Sequence, residues 1–431
     1  MKKVYTCFCT DIIHEGHINI INEARKYGEV IVGVLCDYQM IRYNRFPMIS
    51  FQERVDMVAA LEGVARVVVQ EHIMYDEILK ELKPDYVIHG DNWLTGPMSA
   101  IRGNVINNLA KYGGELIEIP YTWNDSVRKV EEISRERLAM PEFRRKRLRK
   151  LIDICSVVKT IEVHSGLTGL IAEKTVVQDG EGLDQFDAMW ISSLCDSTVR
   201  GKPDIELVDM SSRIRTIDEV MDVTTKPIIL DGDTGGLVEH FVYNVRTLER
   251  MGVSAIIIED KVGLKRNSLF GVEVEQTQDT IENFCYKIRA GKEAQRTEDF
   301  MIIARVESLI LEKGIEDALE RAFAYVAAGA DGIMIHSRKA EPDEIFDFCD
   351  RFRENDKYTP IVVVPTTFCD TYESELAAHG INIVIYANQL TRSAFPAMEN
   401  TAKMILKSHR AREVEDQLIS FQKIITLIDE M

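Results

Sequence analysis

Cysteine is sparse and scattered in this 431-residue sequence. Cys7, Cys9, Cys36, Cys155, Cys195, Cys285, Cys349 and Cys369 include no CxxC pair and no Cys/His set with zinc-ligand spacing. That excludes a disulfide scaffold and a structural zinc module, and predicts free thiols in a reducing compartment. An excess of positive charge is also missing: 52 Lys and Arg stand against 70 Asp and Glu, a net charge of −18. A nucleic-acid binder driven by phosphate neutralisation is thereby excluded. Small anions are not, because a few Arg, Lys and backbone N–H groups can hold them inside an acidic protein. No apolar run approaches the roughly 18 residues needed to cross a bilayer. The opening MKKVYTCFCTD starts like a signal peptide but meets Asp11 and His14 too soon. The expectation is a cytoplasmic protein with neither membrane nor nucleic acid as partner.

What is present is core-forming material, 45% hydrophobic and 28% charged, in a chain long enough for two or three domains. Over residues 1–120, apolar runs at 4–8, 29–35, 66–69, 85–88 and 115–120 alternate with amphipathic stretches such as HINIINEARKYG. That alternation predicts an open parallel α/β sheet. The basic run RERLAMPEFRRKRLRK then breaks the pattern and reads as a solvated helix or linker. We therefore expect a first domain over 1–135, a basic linker over 136–155 and a second domain over 156–431. In the second part, short apolar strands are expected at 161–165, 186–192, 227–231, 254–259, 301–305, 332–336, 361–364 and 382–386. Eight strand–helix units with continuously apolar strands predict a (β/α)₈ barrel.

Chemistry in such a barrel sits where strands end. Asp231-Gly-Asp233-Thr-Gly235-Gly236 follows PIIL, Glu259 follows AIII, Arg305 follows MIIA, His336 follows GIMI, and Ser192 and Ser193 follow AMWI. Asp231, Asp233 and Glu259 offer hard oxygen ligands for Mg²⁺. Arg305, His336 and Lys265 can grip phosphoryl or carboxylate oxygens. The two glycines let substrate or metal approach the backbone.

At these residues the chain resembles the phosphoenolpyruvate mutase family, of the phosphoenolpyruvate mutase/isocitrate lyase superfamily, over roughly 160–395. The motif carrying the likeness is Glu259-Asp260-Lys261, five residues, then Asn267-Ser268; HSGLTGLIAEK and Asp231-Gly-Asp233-Thr-Gly support it. The resemblance implies Mg²⁺-dependent interconversion of phosphoenolpyruvate and phosphonopyruvate. It makes Asp231 the direct metal ligand, with Asp233 and Glu259 acting through water. It places Ser192, Ser193 and Leu194 at the substrate carboxylate, and Arg305 and His336 at the phosphoryl group. Lys265 and Asn267 lie on a mobile segment, and Trp190, Ser268 and Leu269 line the substrate. Asp204 falls at the catalytic aspartate of the lid, where it would carry the phosphoryl group or steady a metaphosphate-like transition state; the alternative is that it caps a helix after Pro203. The lyases' KKCGH motif is absent. Phosphonopyruvate hydrolase shares much of the metal shell but departs from the mutase at the position of Asn267.

In the first domain, His14-Glu-Gly16-His17 opens a helix after the first strand, and His89-Gly90-Asp91-Asn92-Trp93 follows a later one. This HxGH pattern resembles the cytidylyltransferases over about 2–130. The resemblance implies a Rossmann-like domain that binds CTP through His14, Gly16, His17, Asp91 and Trp93 at a helix N-terminus. The alternative is a pair of helix-capping histidines. The family's second motif, with its Gly-Ile-Ser core, is replaced by Tyr121-Thr122-Trp123-Asn124-Asp125-Ser126, and Arg42, Arg45 and Arg54 are what remains to meet a triphosphate. Three functions stay open: mutase (or hydrolase) chemistry in the barrel, CTP-dependent transfer to a phosphonate such as 2-aminoethylphosphonate, and a CTP-sensing or assembly module. The resemblance also implies a homo-oligomer, a tetramer or dimer, with a C-terminal helix from 396–430 exchanged between barrels.

Overall fold

The computed structural model describes all residues except 10, 44, 95–97, 123–124, 180–181, 264 and 429–431. Trp123 and Asn124, in the segment that replaces the second cytidylyltransferase motif, thus lie outside the described residues. The first domain is a parallel five-stranded sheet of β1 (Lys3–Phe8), β2 (Glu29–Leu35), β3 (Val64–Gln70), β4 (Tyr86–Gly90) and β5 (Glu115–Ile119). Its order is β3-β2-β1-β4-β5. The order reverses between β1 and β4, so the crevice at their carboxyl ends is the natural ligand position. The helix Glu15–Ala24 begins there.

The second domain is a closed barrel of eight parallel strands in chain order: β6 (Val158–Glu162), β7 (Ala188–Ile191), β8 (Ile228–Asp231), β9 (Ala255–Glu259), β10 (Met301–Val306), β11 (Gly332–Ile335), β12 (Ile361–Val363) and β13 (Ile383–Tyr386). Residues on the two faces of these strands fill two separate clusters. Ile256, Ile258, Ile302 and Val384 pack under the surrounding helices. Ile229, Ile257, Ile303, Met334, Val362 and Ile385 fill the barrel. Burial of both faces is why the strands read as unbroken apolar runs.

Three expectations need correction. The first barrel strand lies at 158–162 rather than 161–165. The basic run is helical, as one of its two readings had it, but only partly solvated: it forms the end of the helix Asp125–Ala139 and the helix Pro141–Ile154, with Arg137 and Lys146 exposed and other cations turned inward. Arg144 and Arg147 are buried and donate to the carbonyls of Thr224 (2.8 Å) and Thr225 (3.1 Å) just before β8, and Arg145 donates to Glu249 O near the end of the helix Val238–Met251, which precedes β9. Cations here meet backbone carbonyl groups at the amino end of the barrel. The C-terminal segment breaks up: a helix over Gln389–Ser408 is followed by a 3₁₀ turn at Arg412–Gln417 and a short helix at Phe421–Ile425.

The two domains interlock at the barrel floor. Ile41, from the short helix Asp37–Arg42, joins Leu148 and Leu151 in the apolar cluster that fills the barrel. Beside it the guanidinium of Arg42 reaches Asp187 (2.5 Å), Asp184 (2.9 Å) and the carbonyl of Gln185 (3.2 Å).

Candidate active site

The carboxyl ends of the barrel strands surround one cavity. It is lined by Trp190, Ser192, Ser193 and Leu194 after β7, Asp231 from β8, Arg305 from β10, Met334 and His336 from β11, and Asp204, Lys265, Asn267, Ser268 and Leu269 from the loops above. Val364, Thr366 and Asn388 complete the wall.

The acids divide into two groups. Asp231 accepts from Ser193, through both its backbone N–H (3.1 Å) and its hydroxyl (2.7 Å). Asp233 sits in the left-handed region at φ +53°, a conformation Asp tolerates better than most residues. Gly235 and Gly236 continue the turn at φ +77° and +66°. Asp233 pairs with Arg213 (3.1 Å) and with Lys265. The Lys265 ammonium also meets Ser193 Oγ and Asp204 (2.8 Å), and Asn267 donates to the other Asp204 oxygen at 3.0 Å. Asp204 therefore caps no helix; it is tied to the two polar residues that the resemblance placed on the mobile segment. Glu259 belongs to the second group, within 3.3 Å of Arg305 and 3.2 Å of Lys261. Arg305 is fixed by Glu307 (2.5 Å) and lies 3.3 Å from His336 Nδ1.

Burial works against ionisation of Asp231, yet Lys265, Arg213 and Arg305 outweigh it and hold the carboxyl well below the usual range. Burial raises Asp233, with Asp231 beside it reinforcing the shift against the pull of Lys265. Glu259 is pushed up to about 7, mainly by burial and with help from Glu307, against Arg305 and Lys261. Burial, aided by the Arg305 charge, also lowers His336 and keeps its imidazole neutral.

Asp231, Asp233 and Glu259 do not close into a tight trio. Among the described residues the only group of three ligating side chains within 4.8 Å of one another is Glu71, His72 and Glu77, exposed on the first domain. Asp231, Asp233 and Glu259 are nonetheless hard oxygen donors of the kind a divalent cation prefers. Both buried carboxylate oxygens of Glu259 accept no hydrogen bond. Lys261 and Arg305 balance its charge from 3.2 and 3.3 Å, but its acceptor positions stay open, and such a hard oxygen donor set suits a divalent metal.

Strand-end reading reaches Lys261 and Glu307 but gives them no role at the site, and it does not reach Arg213. Glu307 had a signal: two residues beyond Arg305, it falls on the same strand face. Arg213 had a weaker one, as a cation on the stripe Arg213, Thr216, Ile217, Val220 that buries one face of its helix.

In the first domain His14 caps the helix that begins at Glu15. Its Nδ1 accepts from Gly16 N–H (3.1 Å), and His17 Nδ1 accepts from His14 N–H (3.3 Å). The two rings lie 4.0 Å apart. A Cβ at Gly16 would come within 2.9 Å of the His14 ring, which explains the glycine. Asp91 accepts from Tyr121 N–H at 2.8 Å, at the first residue of the segment that replaces the second motif. Trp93 is fully buried, stacked on His89 at 3.6 Å and donating to Glu118. It is a wall of the domain core and not an exposed nucleotide platform. Two of the three arginines expected to meet a triphosphate are committed elsewhere: Arg42 to the barrel floor, and Arg54 to Asp37 and the Leu35 carbonyl.

Burial, then the neighbouring His14, lowers His17 to about 3 against an ordinary value of 6.5. The unfolded chain therefore binds the extra proton between those values, and stability falls as pH drops through that window. The urea midpoint of the first domain should decline between pH 7 and pH 4, and His17→Gln should flatten the decline.

With this geometry in view, residues 148–406 match the phosphoenolpyruvate phosphomutase family. The chain belongs to that family. Residues 5–150 match the cytidylyltransferase-like family. A phosphoenolpyruvate phosphomutase of Streptomyces hygroscopicus is 37% identical over 285 residues, 66% of this chain and 87% of the relative. The crystal structure of a phosphoenolpyruvate phosphomutase from Streptomyces platensis subsp. rosaceus superposes with a TM-score of 0.59 at 34% identity, covering 65% of this chain and 93% of that one. A phosphonopyruvate hydrolase solved with oxalate and Mg²⁺ is comparable, with a TM-score of 0.58 at 33% identity over 66% of this chain and 94% of that one. Each of the three covers about two thirds of this chain.

Proposed function

We propose that the barrel interconverts phosphoenolpyruvate and phosphonopyruvate, as a step of phosphonate biosynthesis. The observation that carries this reading is the pairing of Asp204 with both Lys265 and Asn267 above a cavity walled by Arg305 and His336, in a chain of the phosphomutase family. Asn267 favours isomerisation over hydrolysis. Ser192, Ser193 and Leu194 hold the substrate carboxylate, and Arg305 with neutral His336 holds the phosphoryl oxygens. Asp204 faces the phosphorus, either taking the group covalently or steadying it in flight. Asp231, Asp233 and Glu259 would hold Mg²⁺, which supplies positive charge for the enolate oxygen.

Adding phosphonopyruvate and Mg²⁺ to the protein should form phosphoenolpyruvate, read directly in quenched samples by anion-exchange chromatography. Excess EDTA should abolish the signal, and Mg²⁺ in excess of the chelator should restore it. Activity that persists in EDTA would remove the metal from the reading.

We further propose CTP as ligand of the first domain, on the strength of the His14–His17 helix start at the β1/β4 crevice. With Arg42 and Arg54 engaged, retention of the nucleotide is favoured over its turnover. Exchange of the Gln389–Ser408 helix between copies accounts for its lack of any buried residue and for Phe395, Met398 and Leu406 remaining exposed. The protein is assigned to the cytoplasm, in keeping with its eight free cysteines.

A further inference from the structure

The segment 265–278 covers the cavity and carries Lys265, Asn267 and Ser268. It leaves the barrel rim after β9 and returns through a two-residue antiparallel pairing of Lys261–Val262 with Thr277–Gln278. Packing does little to hold its outer part, where Phe270 and Val272 are about half exposed (51% and 54%). Polar fasteners hold it instead.

The chief fastener is Lys261, whose side chain is buried. Its ammonium lies 2.9 Å from Gln276 Oε1, 3.0 Å from the Arg266 carbonyl and 3.0 Å from Ser268 Oγ. It also lies 3.2 Å from Glu259 and 3.3 Å from Glu307. One cation thus joins both limbs of the segment to two carboxylates of the barrel. Gln276 extends the tie outward, donating to the Gly271 carbonyl at 2.6 Å. There the segment presses on Arg338, which donates to the Phe270 carbonyl at 3.3 Å. A Cβ on Gly271, at φ +50°, would lie 2.1 Å from the Arg338 guanidinium carbon.

We propose that Lys261 and Gln276 are positioning residues that set whether the phosphoryl group is isomerised or lost to water, by fastening segment 265–278 over the cavity. This rests on the mutase reading above. When the P–C bond of phosphonopyruvate breaks, its electron pair stays on the pyruvate enolate. If the cavity is closed, the enolate oxygen bonds to phosphorus and phosphoenolpyruvate forms. If water enters, its oxygen bonds to phosphorus, a proton goes to C3, and pyruvate and orthophosphate form. Exclusion of water is therefore the condition for isomerisation.

The test is the ratio of orthophosphate to phosphoenolpyruvate produced from phosphonopyruvate by the full chain with Mg²⁺. Lys261→Met should raise that ratio by at least about tenfold, the change in a closed-to-open equilibrium expected from losing even one of its three charge-assisted hydrogen bonds to the segment. Gln276→Ala should raise it in the same direction, and Lys261→Arg should bring it back toward wild type. Turnover that falls with the ratio unchanged would assign these residues a purely structural role and overturn the proposal. Should Lys261→Met fail to fold, the half-buried Gln276 decides the matter alone. A wild-type protein that yields only orthophosphate would instead overturn the mutase reading, a separate failure visible before any variant is made.

Discussion

Asp204→Ala should lose the interconversion while keeping its fold. Asp204 stands on a loop, and its side chain contacts the site through Lys265 and Asn267. No core packing depends on it, so the thermal midpoint should stay close to wild type. The size of the loss distinguishes the two roles open to it. An aspartate that only steadies the moving phosphoryl group by charge should cost roughly 10²–10³-fold in kcat, the usual scale for one electrostatic stabiliser. An aspartate that carries the group covalently leaves no path when removed, and turnover should fall below detection. Asp204→Asn refines the comparison, because the amide keeps a partner for Asn267 but abolishes the charge that pairs with Lys265. Single-turnover measurement of phosphonopyruvate loss reads both variants, and wild-type turnover in either one would remove Asp204 from the chemistry.

Arg42→Ala should have the largest effect on stability. Arg42 is a residue of the first domain whose buried guanidinium neutralises Asp187, itself fully buried at the barrel floor. Breaking a buried pair by removing one partner leaves the other charge uncompensated and typically costs about 3–5 kcal/mol. Lys159 still donates its backbone N–H to Asp187 at 2.9 Å, which places the expected loss toward the lower end of that range. Urea unfolding followed by tryptophan fluorescence checks this. Trp93 reports on the first domain and Trp190 on the barrel, so weakened coupling should split one transition into two. A loss below about 1 kcal/mol would mean that the Arg42–Asp187 pair is solvated and that the domains touch without interlocking.

The polar rim of the barrel is largely legible in the sequence, because a barrel strand buried on both faces announces itself as an apolar run and its first polar residue marks the rim. Asp231, Glu259, Arg305 and His336 were found in that way. The first barrel strand was placed too late because Lys159 interrupts its run, and nothing local shows that this lysine pairs with Asp184. The basic helix looked solvated because charge normally seeks water. Only the folded barrel brings up the carbonyls of the turn before β8 that Arg144 and Arg147 bind. The start of the Gln389–Ser408 helix was missed for a related reason. Its first N–H groups, at Leu390 and Thr391, donate to Glu162, more than two hundred residues earlier, so no local capping signal is present. The ties from Lys265 to Asp204 and Asp233 were likewise hidden, since pairing between loops of different strands follows from closure of the barrel and leaves no periodic trace.

The most direct test of the central claim is a ³¹P NMR time course of the purified protein with phosphonopyruvate and Mg²⁺. The account predicts that the phosphonate resonance declines as a phosphate-ester resonance of phosphoenolpyruvate grows in its place. Growth of orthophosphate alone, or an unchanged phosphonate signal with the metal present, would contradict it.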